Sequence, residues 1–149
     1  MSDQRFNSHY ALGVGLRPGC APAELQYLVD TLLADSTIRA AQLIGVATWA
    51  KRGSAPALQA LAGDLALPVI TLDISALAAV DARVLTRSPR VRQRLGIDSV
   101  AEAAALALMD CAPDSVGVLL GPRRASLAAT AALAGHAPTV GATVSPGLA

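Results

Sequence analysis

The sequence predicts a single layered α/β domain, and three observations lead there. Short β-rich runs alternate along the chain with longer runs of helical period, the pattern of a layered α/β fold. A length of 149 residues fits one domain with a sizeable core. The composition is 53% hydrophobic but only 3% aromatic and 15% charged, against about 25% charged in a typical soluble domain. Alanine fills about a fifth of the positions, so the apolar content is fine-grained.

The elements follow in order. Tyr10 to Leu16 reads as a first strand, in which Gly13 and Gly15 lower side-chain bulk where something approaches the backbone. Pro22 suits a first helical turn, and Leu25, Leu28, Val29, Leu32 and Leu33 recur at helical spacing. Gln42 to Trp49 is a second strand. Pro56 opens a helix with Leu58, Leu61, Ala62 and Leu65 on one stripe, and Pro68 to Leu72 is a third strand. Asp73 is placed to cap a short helix over Ile74 to Val80. Ser88 and Pro89 open a helix that runs to Leu95 and ends at Gly96.

Ser99-Val100-Ala101-Glu102 has the form of a capping box. The serine takes the amide of Glu102, and Glu102 reaches back to the amide of Ser99. The helix that follows, through Met109, is nearly all Ala and Leu and should be buried on most of its surface. Val116 to Leu120 is a fourth strand. Local propensity makes Leu127 to Ala134 a helix, although periodicity alone does not separate that from a buried strand. Residues 1–9 form an N-terminal extension, and the Gly-, Pro- and Thr-containing residues 135–149 read as a flexible tail.

Several functions are excluded by composition. A net charge of +1 supplies no field for nucleic acid or an anionic membrane. No apolar stretch reaches the roughly 18 residues of a membrane span. The polar start, Met1 to Phe6, carries an acid, so no secretory signal is expected and the expected compartment is the cytoplasm. Cys20 and Cys111 lack metal or redox spacing and are expected to be free thiols. His9 and His136 read as exposed loop histidines, and no metal or cofactor is indicated.

The polar residues collect at strand ends, where open α/β sheets bind ligands. Strand 1 ends in Gly15, Arg17 and Gly19, strand 2 in Thr48, Trp49, Lys51, Arg52 and Ser54, and strand 4 in Arg123, Arg124 and Ser126. Arginine forks and a lysine point charge on one rim suit an anionic ligand. The same residues also fit polar loops that keep a low-charge protein in solution. GVGL lacks the third glycine of a dinucleotide fingerprint, and no P-loop is present.

These motifs, in this order, resemble the CobE / CbiG C-terminal domain family of cobalamin (vitamin B12) biosynthesis. The family pattern G-[IVL]-G-x-R-x-G matches Gly13, Gly15, Arg17 and Gly19, and T-x-x-K matches Thr48 and Lys51. G-[VI]-x-S-V-A-E-A-A-A-L matches Gly96 through Leu106 and is the most specific part. A V-P-[KR] loop corresponds to Pro122 and Arg123, and A-T-x-A-[IVL]-A to Ala129, Thr130, Ala132, Leu133 and Ala134. Leu16 stands where the family often has cysteine, Ser54 where it often has an acid, and Arg123 where it has lysine.

The resemblance spans 10–134 and implies a three-layer α/β/α domain with a mostly parallel or mixed sheet of about five strands. It turns the 127–134 segment into a strand, which Thr130 and Leu133 fit. It also implies a corrin-ring precursor as ligand, a large macrocycle fringed with carboxylates. Gly13, Gly15, Arg17, Gly19, Trp49, Ser54, Arg123, Arg124, Ser126 and Thr130 are the expected binding residues. The leading expectation is a carrier or accessory protein of the aerobic route, with other enzymes of cobalamin synthesis as further partners. The alternatives are an enzyme that opens a lactone on the macrocycle, with Lys51 as base beside Thr48, and a general small-anion-binding domain.

Overall fold

The computed structural model describes residues 10–112 and 114–137. The N-terminal extension 1–9 and the tail from residue 138 onward lie outside the described residues. Eleven elements follow the expected alternation. They are β1 (Tyr10–Leu16), α1 (Pro22–Ser36), β2 (Leu43–Trp49), α2 (Pro56–Leu65), β3 (Val69–Leu72), α3 (Ile74–Ala78), α4 (Pro89–Leu95), α5 (Val100–Asp110), β4 (Val116–Leu119), β5 (Arg124–Ala125) and β6 (Ala129–Ala137).

The sheet has six strands in the order β3-β2-β1-β6-β4, with β5 also paired to β6. Strands β1, β2 and β3 are parallel, and β6 runs antiparallel to β1, β4 and β5. The expected mixed sheet is therefore present, one short strand larger than expected. Helices α1 and α2 bury Leu25, Leu28, Leu58 and Leu61 against Leu12, Val14 and Leu133 on one face. Helix α5 lies on the other face with Leu77 of α3, Val84 and Ile97.

Helix α5 sits directly on sheet backbone. A Cβ on Gly13 of β1 would lie 2.0 Å from the Ala101 carbonyl oxygen and 2.6 Å from the Ala105 amide. On β4, a Cβ at Gly117 would lie 3.0 Å from the Leu106 carbonyl. Residues 101–109 are all buried, and five of them are alanine. The small residues of the composition thus form one seam, where a thinner helix–sheet spacing replaces bulky side chains.

The segment expected as a helix from propensity is strand β6. Its alanines pair with β1 on one side, Gly15 opposite Thr130 and Leu12 opposite Leu133, and with β4 and β5 on the other. Pairing on both edges and burial on both faces override the helical preference of alanine. The strand continues to Ala137, so 135–137 belong to the sheet rather than to a tail. His136 accordingly sits on a strand, opposite Gly117, not in a loop.

Caps agree with the sequence at Asp73, which accepts the Ala76 amide at 2.9 Å, and at Ser88, which accepts the Val91 amide. Ser99 accepts the Glu102 amide, but the reciprocal half of the expected capping box is absent, because the Glu102 carboxylate serves other donors. Cys20 and Cys111 are free.

Helix α4 has no fully buried residue; Val91 and Leu95 pack against the core beside α5, and a cluster of charges anchors the rest. The buried Asp98 carboxylate accepts from Arg87 at 2.8 Å and from Arg92 at 2.9 and 3.1 Å, and Arg92 also pairs with Asp81. Arg92, followed by Arg87, holds the Asp98 carboxyl well below the usual carboxylate range. With its folded value depressed, Asp98 contributes its full stability above the unfolded value of about 3.9 and loses it as pH falls further. Urea midpoints of the native chain and of Asp98→Asn are therefore expected to differ at pH 6 and to converge below about pH 4. A gap that persists undiminished at pH 3 contradicts this linkage.

Candidate functional site

The carboxyl ends of β1 and β2, helix α4 and the segment 123–130 enclose a half-open cleft of about 300 Å³. Strand pairing builds its floor. Because β6 starts where β1 ends, Gly15 faces Thr130 and the Arg17 amide donates to the Ala128 carbonyl at 2.9 Å. A Cβ on Gly15 would come within 2.5 Å of the Thr130 hydroxyl, so this glycine makes room for that side chain. Glu24 of α1 pins the far wall, accepting from the Ser126 hydroxyl and, at 2.6 Å, from the Ala128 amide. Those two bonds, the hydroxyl first, hold the Glu24 carboxyl below its ordinary range.

Glu102 ties the 85–86 loop and the lining residue Arg123 to α5. One carboxylate oxygen accepts the Leu85 and Thr86 amides at 2.6 and 2.9 Å. The other accepts the Thr86 hydroxyl at 2.6 Å and the Arg123 amide at 2.7 Å. Burial pushes this carboxyl up, but the bonds from Thr86, Arg123 and Leu85 outweigh it and leave it below the ordinary value. A buried carboxylate that accepts four donors is a fixed anion, matched to its site.

Six expected binding residues come together in the cleft: Gly15, Arg17, Trp49, Arg123, Ser126 and Thr130. The others lie elsewhere. Gly13 is under α5, and Gly19 is at a left-handed turn position outside the cleft, with φ of 82°. Ser54 is exposed and does not line the cleft. Arg124 pairs with Asp35 at 2.6 Å, outside the cleft lining. Thr48 is fully buried and donates to the Val14 carbonyl at 2.6 Å, joining β2 to β1. Lys51, the only lysine of the chain, is exposed with its ammonium 5.7 Å from the Trp49 ring centre, and it does not line the cleft.

Sequence reasoning missed Arg90 and Arg94 and, at the end of strand 2, favoured Lys51 over its neighbour Arg52, yet all three arginines line the cleft. Arg52 donates to the Leu16 carbonyl at 3.1 Å and lies 5.4 Å from the Trp49 ring centre, a cation–π distance. Arg90 and Arg94 stand one turn apart on α4, a spacing visible in the sequence as R-x-x-x-R. Which face that pair shows follows from Val91 and Leu95 packing on the core and from Arg92 pairing with Asp98, and the spacing alone does not reveal it. The cleft thus holds five arginines and no Asp, Glu, His, Cys or Lys. Apolar side chains, Leu16, Trp49, Val91, Leu95 and Leu127, line the remainder.

Among the described residues, no group of His, Cys, Asp and Glu is arranged to hold a metal ion, and no helix is long and apolar enough to cross a membrane.

Comparison with known proteins identifies the fold and the family. A search of curated protein sequences gives no match. Among solved structures, CobE, a protein from the cobalamin (vitamin B12) biosynthetic pathway, is 33% identical with a TM-score of 0.81, covering 89% of this chain and 92% of that one. The cobalamin biosynthesis protein chiG from Agrobacterium tumefaciens str. C58 is 26% identical with a TM-score of 0.62, over 88% and 98% of the two chains. A cobalamin biosynthesis protein G homolog from Sulfolobus solfataricus shares the fold at 14% identity and a TM-score of 0.64, over 87% of this chain and 37% of that one. Residues 10–134, the stretch that builds both the sheet and the arginine cleft, match the family model for the cobalamin synthesis G C-terminus, and the chain belongs to that family.

Proposed function

We propose that the protein acts in cobalamin biosynthesis by binding a corrin-ring precursor in the arginine cleft, as a carrier or accessory protein rather than as a catalyst. One observation carries this reading: the titratable groups lining the cleft are arginines alone. Arginine binds carboxylates in pairs but does not give up its proton, so it positions anions without serving as a base. Thr48 and Lys51, the groups of the enzymatic alternative, are respectively buried between strands and outside the cleft.

A cleft of about 300 Å³ is at the small end of ligand sites. It fits one carboxylate-bearing edge of a macrocycle, with the indole of Trp49 and the leucines against the ring. The aerobic route is the proposed setting, on the resemblance to CobE, with hand-over to other pathway enzymes in the cytoplasm.

Titration of a corrin-ring acid with the purified protein is expected to shift its visible absorption and to carry it with the protein on gel filtration at micromolar concentration. Absence of both removes the proposal. Binding of small carboxylates or phosphate with equal affinity supports a general anion site instead.

A further inference from the structure

A single exposed leucine on a protein surface calls for no explanation, but Leu127 differs from that case in two respects. It is 85% exposed, the most exposed large apolar side chain among the described residues, and it alone of those exposed side chains lines the cleft. It also sits on backbone that is fixed on both sides. The Ser126 amide donates to the Ala129 carbonyl at 2.8 Å, and the Ala128 carbonyl accepts from the Arg17 amide at 2.9 Å. Glu24 of α1 ties the same two neighbours a second time, through the Ser126 hydroxyl and the Ala128 amide.

A leucine on a loose loop must be ordered by whatever it binds, and that ordering subtracts from affinity. At Leu127 the backbone is ordered before anything arrives, while the side chain's apolar surface stays in water. Leu16, Trp49, Val91 and Leu95 continue the apolar lining inside the cleft. A cleft of about 300 Å³ takes one edge of a macrocycle, not the whole. A ring held by its edge therefore extends across the mouth, where the exposed Leu127 stands.

We infer that Leu127 is a specificity-determining residue, an apolar prop fixed by Glu24 that separates large rings from small carboxylates bearing the same acid groups. The arginines do not make that distinction, because a guanidinium fork binds a carboxylate in the same way whatever carries it. Leu127 makes it, because only a ligand that reaches out of the cleft covers this side chain and removes its surface from water. Glu24 lies outside the cleft lining and is a positioning residue that acts through the turn. The inference rests on the corrin reading for the kind of ring, and its own content is selection by reach.

The experiment compares three probes by isothermal titration: cobyrinic acid, the porphyrin octacarboxylate uroporphyrin, and the small tricarboxylate tricarballylic acid. Leu127→Ser is expected to weaken cobyrinic acid about 10-fold and the small acid by less than about 2-fold. Its melting temperature should stay native, since the side chain is already in water. Leu127→Met is expected to keep the native ratio of ring to small acid. Glu24→Ala is expected to weaken the ring about 3-fold, and to weaken it no further when Leu127 is already serine.

A loss shared equally by ring and small acid in Leu127→Ser, or no loss at all, overturns the inference and leaves the corrin reading standing. Losses from Glu24→Ala and Leu127→Ser that simply add overturn the positioning role of Glu24. Uroporphyrin binding that depends on Leu127, with cobyrinic acid unbound, upholds selection by reach and removes the corrin reading. A native chain that binds tricarballylic acid as tightly as either ring, or binds neither ring, overturns both.

Discussion

Gly13→Ala is expected to cost about 3 kcal/mol or more of folding stability, near the upper end for overpacking a core. The added methyl would lie 2.0 Å from the Ala101 carbonyl oxygen, 2.6 Å from the Ala105 amide nitrogen and 3.0 Å from the Ala105 Cβ. Two of those atoms are helix backbone, so no rotamer change relieves the contact. Helix α5 also rests on Gly117 of β4, so lifting it off Gly13 would open a gap at that second contact. Gly63, on α2 with nothing within 4 Å of its would-be Cβ, is the matched control. There alanine is expected to stabilise by about 0.5–1 kcal/mol through helix propensity and a less flexible unfolded chain. Urea denaturation of the two variants decides the matter, and similar midpoints for both mean that α5 does not rest on β1 as described.

The second large effect belongs to Glu102→Gln. The substitution keeps the shape but puts an NH₂ where donors already converge from Leu85, Thr86 and Arg123. At least one buried donor loses its acceptor, and the net cost is expected to be about 2–4 kcal/mol. Thr86→Val removes a single donor and is expected to cost only about 1 kcal/mol. A second consequence separates anchoring from mere packing. Amide exchange at Leu85, Thr86 and Arg123 is expected to accelerate more than exchange in β1 or β2, because Glu102 ties exactly those three amides to α5. Uniform acceleration across the sheet points instead to general destabilisation.

Much of the fold was legible because the local signals were chemically explicit. Prolines at the first turns of α1, α2 and α4, the serine caps and Gly96 each mark a boundary by a mechanism that needs no tertiary information. Strand β6 shows the opposite case. Alanine's preference is helical, and only the neighbours on both edges, β1 and the broken pair β4 and β5, make ATAALAGHA a strand. The resemblance to a known family supplied what periodicity did not.

The site was legible in part for the same reason. Arg17, Trp49 and Arg123 sit at ends of strands or loops, where position in the fold follows from order in the chain. Arg90 and Arg94 come from a helix whose orientation depends on Val91 and Leu95 packing on the core and on a remote ion cluster. Glu102 fitted a local cap so well by spacing that its long-range partners, seventeen and twenty-one residues away, were hidden. Thr48 and Lys51 match the family motif, yet one is turned into the sheet and the other lies outside the cleft. A motif fixes spacing along the chain, whereas orientation is set by what each side chain meets.

The seam between α5 and the sheet also constrains how this chain can drift. In an ordinary core, a large residue becomes smaller while its neighbour becomes larger, and total volume is kept. At Gly13 the contact is with the backbone of Ala101 and Ala105, which no substitution shortens. Glycine has no smaller replacement, so neither side of the contact has a compensating change to offer. Such a seam is inherited whole or lost, while the arginine rim of the cleft, built from long and separately replaceable side chains, carries no such restriction.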